Sequence, residues 1–229
     1  SNLKLIFRTL WISLTVTGFC LLIAVPVGYT IARTRARLQQ ILLLLVVIPF
    51  WTSFIVRIYA WKSLLHPEGL LKTLLLALNL VDADTVFLYN SAAVVLVMVY
   101  TYVPFAILPV YAASSKFDEH LFEAAMDLGM TRLKAFFKVF LPCIQTGMLT
   151  AVLLVLIPCL GAYVIPDVIG GPDSMMIGNR IVQKTFVERD IPLASALSTL
   201  LSAAVLIPMA ITMILQARTD KAHAVKGGH

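Results

Sequence analysis

A chain of 229 residues that is 60% hydrophobic, only 13% charged and has a mean hydropathy of +0.92 carries more apolar surface than a soluble domain of that length needs, which argues against a soluble enzyme or binding module. In a soluble protein the net charge of +6 would suggest a nucleic-acid partner; here it reads as basic residues collected in cytoplasmic loops. Cys20, Cys143 and Cys159 lack CxxC spacing, and His66, His120, His223 and His229 lack ligand spacing, so neither a disulfide nor a metal site is predicted.

Taken in order, the chain reads as five spans of about 20 apolar residues. The first, 10–32, contains Pro26 and Gly28 and is flanked by Arg8 and by Arg33, Arg35 and Arg37. It is too long for a cleavable signal peptide. The second, 41–65, carries Pro49-Phe50-Trp51-Thr52-Ser53, then Arg57, Tyr59 and Trp61. A polar connection over 66–90 includes a short amphipathic helix at 70–80. The third span, 91–113, is expected to break at Pro104 and Pro109. A polar elbow at 115–142 follows, then the fourth span, 146–165. A second polar segment, 167–192, opens on the turn signal Ile169-Gly170-Gly171-Pro172 and holds a short helix at 174–187. The fifth span is 193–215, and a basic tail closes the chain.

Charge orients these spans. The elbow side holds Arg33, Arg35, Arg37, Lys116, Arg132, Lys134, Lys138, Arg218, Lys221 and Lys226 against Asp118, Glu119, Glu123, Asp127 and Asp220. On the opposite side Lys4, Arg8, Lys62, Lys72, Arg180, Lys184 and Arg189 are balanced by Glu68, Asp82, Asp84, Asp167, Asp173, Glu188 and Asp190. The positive-inside rule therefore puts the elbow and the C-terminus in the cytoplasm.

The elbow reads as two short helices joined by a glycine. Ser115 and Asp118 make a capping-box-like start. Phe117, Leu121, Ala124 and Leu128 make an apolar stripe, and Glu119, Glu123 and Asp127 an acidic one. Gly129 suits the left-handed end of a helix, Thr131 caps the next one, and that helix carries Arg132, Lys134 and Lys138 and ends near Leu141-Pro142, with Pro142 starting the following span.

Glu123-Ala124-Ala125, then Gly129, then Val139-x-Leu141-Pro142 resembles the EAA loop of bacterial binding-protein-dependent ABC importers. The resemblance implies an all-α polytopic bundle of the type I ABC importer permease kind, one transmembrane domain over 1–229 with its coupling loop at about 115–142. It implies that Glu123, Ala124, Ala125, Asp127, Gly129, Leu141 and Pro142 couple the chain to a separate ATPase. Such permeases have six spans, so a first helix is expected to precede the five seen here; a five-span core is the alternative. Pro49 to Ser53 continuing through Arg57-Ile58-Tyr59-Ala60-Trp61, the segment from Tyr163 to Gly171, and Ile177-Gly178-Asn179-Arg180-Ile181 resemble the spermidine/putrescine permease group. Relatives that carry iron, phosphonates, opines or thiamine share much of the pattern and remain alternatives.

A polyammonium ion stripped of water needs aromatic faces and carboxylates, which makes Trp51, Tyr59, Trp61, Tyr163 and Asp167 the candidates for a solute path. An interfacial aromatic belt accounts equally well for the rings, and a turn or cap role for Asp167. Arg57 is awkward for a cation path: it either pairs within the protein or signals an anionic solute.

The sequence lacks a G-x-x-x-x-G-K-[ST] phosphate loop, so ATP and Mg are expected on the partner ATPase and no cofactor in this chain. The expected assembly is two permease subunits in the bacterial inner membrane, an ATPase dimer inside and a solute-binding protein outside. An ion-coupled secondary transporter predicts mid-span acids and internal repeats, and neither is found. A docking-only assembly factor predicts unbroken spans, whereas prolines interrupt these at 26, 49, 104, 109 and 158.

Overall fold

The structure, a computed structural model, describes residues 2–77 and 86–226, and among them every regular element is helical. In chain order these are α1 (Asn2–Ala32), α2 (Ala36–Val47), a 3₁₀ turn (Ile48–Trp51), α3 (Phe54–Leu65), α4 (Leu70–Ala77), α5 (Ser91–Ser114), α6 (Glu119–Asp127), α7 (Arg132–Ala135), a π-helical turn (Phe136–Phe140), α8 (Leu141–Cys143), α9 (Gln145–Leu160), α10 (Val164–Ile169), α11 (Ile177–Val182), a second π-helical turn (Gln183–Val187) and α12 (Ile191–Lys226). The far end of the helix expected at 70–80, with Leu80, and the acids Asp82 and Asp84 lie outside the described residues.

The centre of the bundle is α1 packed on α5 and α9. Its faces are built from small side chains. α1 buries Ser13, Thr17 and Ala24 along with Ile12, Val16 and Cys20, and turns Trp11, Leu14, Phe19 and Leu22 outward. Helices that cannot gain from leaving water associate by close packing of small residues instead. Gly28 and Gly147 mark the closest approaches. A Cβ on Gly28 would lie 2.9 Å from Val110 Cγ1, and one on Gly147 would lie 2.8 Å from the Pro109 carbonyl and against the Ala113 methyl. Two hydroxyls inside the bundle return to their own helix, Thr17 donating to the Ser13 carbonyl at 2.7 Å and Thr101 to that of Val97 at 2.7 Å, while the buried Ser13 and Ser114 hydroxyls have no partner among the described residues.

Three helices, Lys4–Ala32, Ser91–Ser114 and Ile191–Ile211, are long and apolar enough to cross a membrane, and there are up to five crossings if each of two bent pairs counts as one. The expected second span is the first bent pair. Pro49 at the head of the 3₁₀ turn and the extended Thr52 stop α2, and the chain resumes as α3 at 90°. The expected fourth span, 146–165, corresponds to α9 (Gln145–Leu160), which is the second arm of the second bent pair: Ile144 leaves helical geometry, and the elbow helix meets α9 at 71°. By contrast α5 runs through Pro104 and Pro109, α1 through Pro26 and α9 through Pro158 without interruption, so of the five expected proline breaks only that at Pro49 occurs. Packing against α1 and α9 holds α5 across its two missing N–H groups. The expected helix at 174–187 is divided into a 3₁₀ turn (Pro172–Ser174), α11 and the second π turn.

The two ends of α1 meet the two sets of loops. Near its N-terminus Arg8 reaches the Pro172 carbonyl at 3.2 Å and Asp173 at 3.9 Å, and the Thr9 hydroxyl accepts from the Ile177 N–H at 2.9 Å. Beside this, buried Asn179 accepts from the Met176 N–H at 3.2 Å and donates to the Tyr163 carbonyl at 2.8 Å. Asn179→Ala leaves both backbone groups without their partner, and it is expected to cost about 2 kcal/mol, read as a lower melting temperature in detergent. At the other end of α1, Arg33 faces the elbow.

Candidate coupling site and solute path

The elbow folds as two helices around a glycine, and its local chemistry explains why. Asp118, not Ser115, caps α6: its carboxylate accepts from the His120 N–H at 3.0 Å. Ser115 belongs to the end of α5, where its hydroxyl donates to the Ala112 carbonyl at 3.0 Å. α6 closes in a full Schellman motif, with the Met130 N–H on the Ala125 carbonyl at 3.1 Å and the Gly129 N–H on that of Met126 at 2.9 Å. That closure puts Gly129 at φ +85°. Thr131 then caps α7, accepting from the Lys134 N–H at 3.4 Å.

An aromatic cluster fixes the elbow to the bundle. Phe140 is fully buried, with the rings of Tyr29, Phe117 and Phe136 centred 4.8, 5.2 and 5.1 Å from its own. Arg33 covers the cluster, its guanidinium 5.5 Å from the ring centres of both Tyr29 and Phe117. It also lies 2.9 Å from a Glu119 carboxylate oxygen, close enough for an ion pair although the Nε–H is not aligned for a hydrogen bond. The first residue of the basic loop after α1 and the first helical residue of the elbow are thus joined across 86 positions of sequence.

The structure divides the seven coupling candidates. Ala125 is buried and holds α6 down; Leu141 is half-buried. Glu123, Ala124, Asp127, Gly129 and Pro142 are exposed, and Glu123 has His120 Nδ1 at 3.4 Å as a neighbour. Pro142 does not begin the following span: it lies in α8, and α9 starts after the bend at Ile144. The expected apolar stripe is corrected as well. Phe117 is buried, but Leu121, Ala124 and Leu128 face outward, while Phe122, Ala125 and Met126 form the inner face. The outer face therefore presents Leu128, 83% exposed, and Leu133, 71% exposed, with Leu121 and Phe137 beside them. Leu133 and Phe137 were not among the expected coupling residues. Their sequence signal is the i, i+4 spacing between them, legible once the inner face of α6 is known.

The five path candidates do not form one site. α3, which carries Tyr59 and Trp61, packs against α10, which carries Asp167. Yet among the described residues none of the five stacks on another, and the hydrogen bond that joins two of them is only the backbone turn that starts α10, from the Asp167 N–H to the Tyr163 carbonyl at 3.0 Å. Trp61 is half-buried edge-on to Tyr100, ring centres 5.2 Å apart; Tyr59 is exposed with Lys62 Nζ 6.0 Å from its ring centre; Trp51, Tyr163 and Asp167 are exposed. Arg57 lies instead on a cavity of about 530 Å³ lined by α3, α5 and α9, with its guanidinium 5.3 Å from the centre of the Phe50 ring.

A family model described as the binding-protein-dependent transport system inner membrane component matches residues 24–224. The spermidine/putrescine transport system permease protein PotB of Haemophilus influenzae is 35% identical over 218 residues, covering 93% of this chain and 75% of that protein. PotB of Escherichia coli is 32% identical over 199 residues, covering 87% of this chain and 72% of its own. Among solved structures, the fold is similar to a chain of a bacterial ABC transporter involved in alginate import, with TM-score 0.63 at 17% identity over 94% of this chain and 79% of the other. It is also similar to a chain of the MetNI methionine ABC transporter in an inward-facing conformation, with TM-score 0.67 at 20% identity over 94% of both chains.

Proposed function

The chain belongs to the binding-protein-dependent transport system inner membrane component family, and from that premise we propose that it carries polyamines across the bacterial inner membrane, driven by an ATPase seated on the elbow. Its fold is the all-α bundle of type I ABC importer permeases, and it is a transport component. The relatives named for spermidine and putrescine, matched along most of the chain, support the polyamine reading. ATP and Mg belong to the partner ATPase, a second permease subunit completes the path, and a solute-binding protein delivers the cargo from outside. The elbow and C-terminus face the cytoplasm, where the positive charge collects.

One observation carries the coupling role. Leu128 and Leu133 stand exposed on an elbow whose helices are capped, closed by a Schellman motif and bolted to the bundle by an aromatic cluster. Large apolar side chains held out on a rigid, charge-rich projection fit the groove of a protein partner. Leu128→Asp together with Leu133→Asp is expected to strip the ATPase from the purified importer while leaving the melting temperature of the permease unchanged, because neither side chain packs inside. Retention of the ATPase by this variant would reject the elbow as its seat.

The polyamine reading is tested by uptake of labelled spermidine in cells whose only polyamine importer is this assembly. Spermidine uptake abolished by loss of this chain supports it. Uptake that is indifferent to this chain would sink it. The observation that favours a different cargo is Arg57, since a cation in the membrane interior suits an anionic solute.

A further inference from the structure

Arg57 has no anion of its own. Among the described residues no carboxylate pairs with it, its buried Nε–H has no acceptor, and its guanidinium lies over the face of Phe50, 5.3 Å from the ring centre. A ring beneath a guanidinium takes up the flat face and leaves the in-plane N–H groups, the edge that grips a carboxylate with two parallel hydrogen bonds, free. The cavity beside it is walled by Phe50, Phe54, Phe105 and Pro158 and is otherwise poor in polar groups. Two hydroxyls lie on its walls. That of Thr101 is spent on the Val97 carbonyl, whereas the Tyr102 hydroxyl has no partner among the described residues. The free polar groups of the cavity are thus one cation and one phenol, a set that donates and asks for an acceptor with negative charge.

Depth narrows the source of that acceptor. Thr101 and Tyr102 stand halfway along the 24-residue α5, so the cavity is near mid-membrane. Lipid phosphates lie about 15 Å away at either surface. A polyammonium cargo would be repelled. A charged guanidinium at this depth persists only when paired or wet, and the described residues of this chain offer it no carboxylate. We propose that Arg57 and Tyr102 receive a carboxylate from the second permease subunit, forming an ion pair between subunits at mid-membrane. This rests on the reading of the chain as one of two permease subunits for a polyammonium solute. The pair would place a fixed cation beside the path, its charge cancelled only when the two subunits are correctly joined.

The test uses the whole importer, with the second permease subunit and ATPase co-expressed. A photo-reactive p-benzoylphenylalanine at position Phe54, on the cavity wall with Arg57 intact, is expected to form its adduct with the second permease subunit. An adduct confined to lipid, or none, overturns the proposal. Arg57→Gln is expected to lower recovery of the second subunit by roughly thirtyfold or more, the scale of a lost buried charge pair, with Arg57→Lys intermediate. Recovery equal to wild type in Arg57→Gln overturns it. If Arg57→Gln fails to fold, the adduct at position Phe54 decides alone. Wild-type spermidine uptake without the adduct discards the ion pair and spares the polyamine reading. Uptake of an anionic solute in place of spermidine, lost in Arg57→Gln while the complex stays intact, discards both.

Discussion

Gly129→Val is expected to uncouple the importer, with the permease still folded but the ATPase bound weakly and ATP-driven uptake down by roughly tenfold. The reasoning separates space from conformation. A Cβ at Gly129 would meet nothing within 4 Å, so no clash inside the chain opposes the substitution. The obstacle is φ +85°, which a β-branched residue adopts only at a cost of about 1–2 kcal/mol. The elbow can relieve that strain by giving up the Schellman closure, and the angle between α6 and α7 then drifts. Leu128 and Leu133 flank the turn, so the drift pulls apart the two side chains proposed to seat together. Gly129→Asn is the control, because asparagine tolerates the left-handed region, and it is expected to keep most of the coupling. Equal uptake by the valine variant and wild type would show that the turn geometry does not matter to coupling.

The second large effect is expected at the helix crossing. Gly147→Leu places atoms where the Pro109 carbonyl already lies 2.8 Å from an ideal Cβ, with the Ala113 methyl alongside. Neither neighbour is a flexible side-chain end, so α5 and α9 must separate. Overpacking of this kind costs about 3 kcal/mol, and a greater loss follows if the whole crossing opens. For a chain of this size that is a fall of roughly 6–12 °C in melting temperature. Gly18→Ala is the matched control. That position, exposed on α1, has nothing within 4 Å of an added Cβ, and alanine there is expected to be neutral or stabilising by up to about 1 kcal/mol. A Gly147→Leu permease as stable as the Gly18→Ala one would mean that α5 and α9 are not in close contact in the membrane.

Long elements and local caps were legible in the sequence. The third span, expected over 91–113, is Ser91–Ser114, because Asn90 caps an unbroken apolar run and accepts from the Ala93 N–H at 2.8 Å. Gly129 and Thr131 do what local turn chemistry asks of them. The inner face of each helix was harder to read. In a membrane both the lipid side and the protein side are apolar, so periodicity alone does not say which way Trp11 or Ile12 points. A second ambiguity reversed the α6 stripe, where the exposed Leu121 and Leu128 carry as much apolar weight as the half-buried Phe122 and the buried Ala125. The size of the bends was hidden for a different reason, although their places, at Pro49 and between the elbow and the fourth span, were expected. The change at Ile144 rests on one residue's backbone torsions, φ −94° and ψ 10°, with no glycine to announce it. The Arg33–Glu119 pair and the Arg57 cavity join residues far apart in sequence, and only the folded chain brings them together.

The 71° angle at Ile144 has a mechanical corollary. Beyond it α9 is a stiff rod of 16 residues, about 24 Å long. A cranked arm of that length converts a small tilt at its base into a sizeable sweep at its tip: about 5° moves the distal end by about 2 Å. That tip leads directly to Tyr163, whose carbonyl is tied to Asn179 beside the N-terminal end of α1. Force applied at one membrane face would therefore arrive at the other as lateral displacement rather than as a piston stroke.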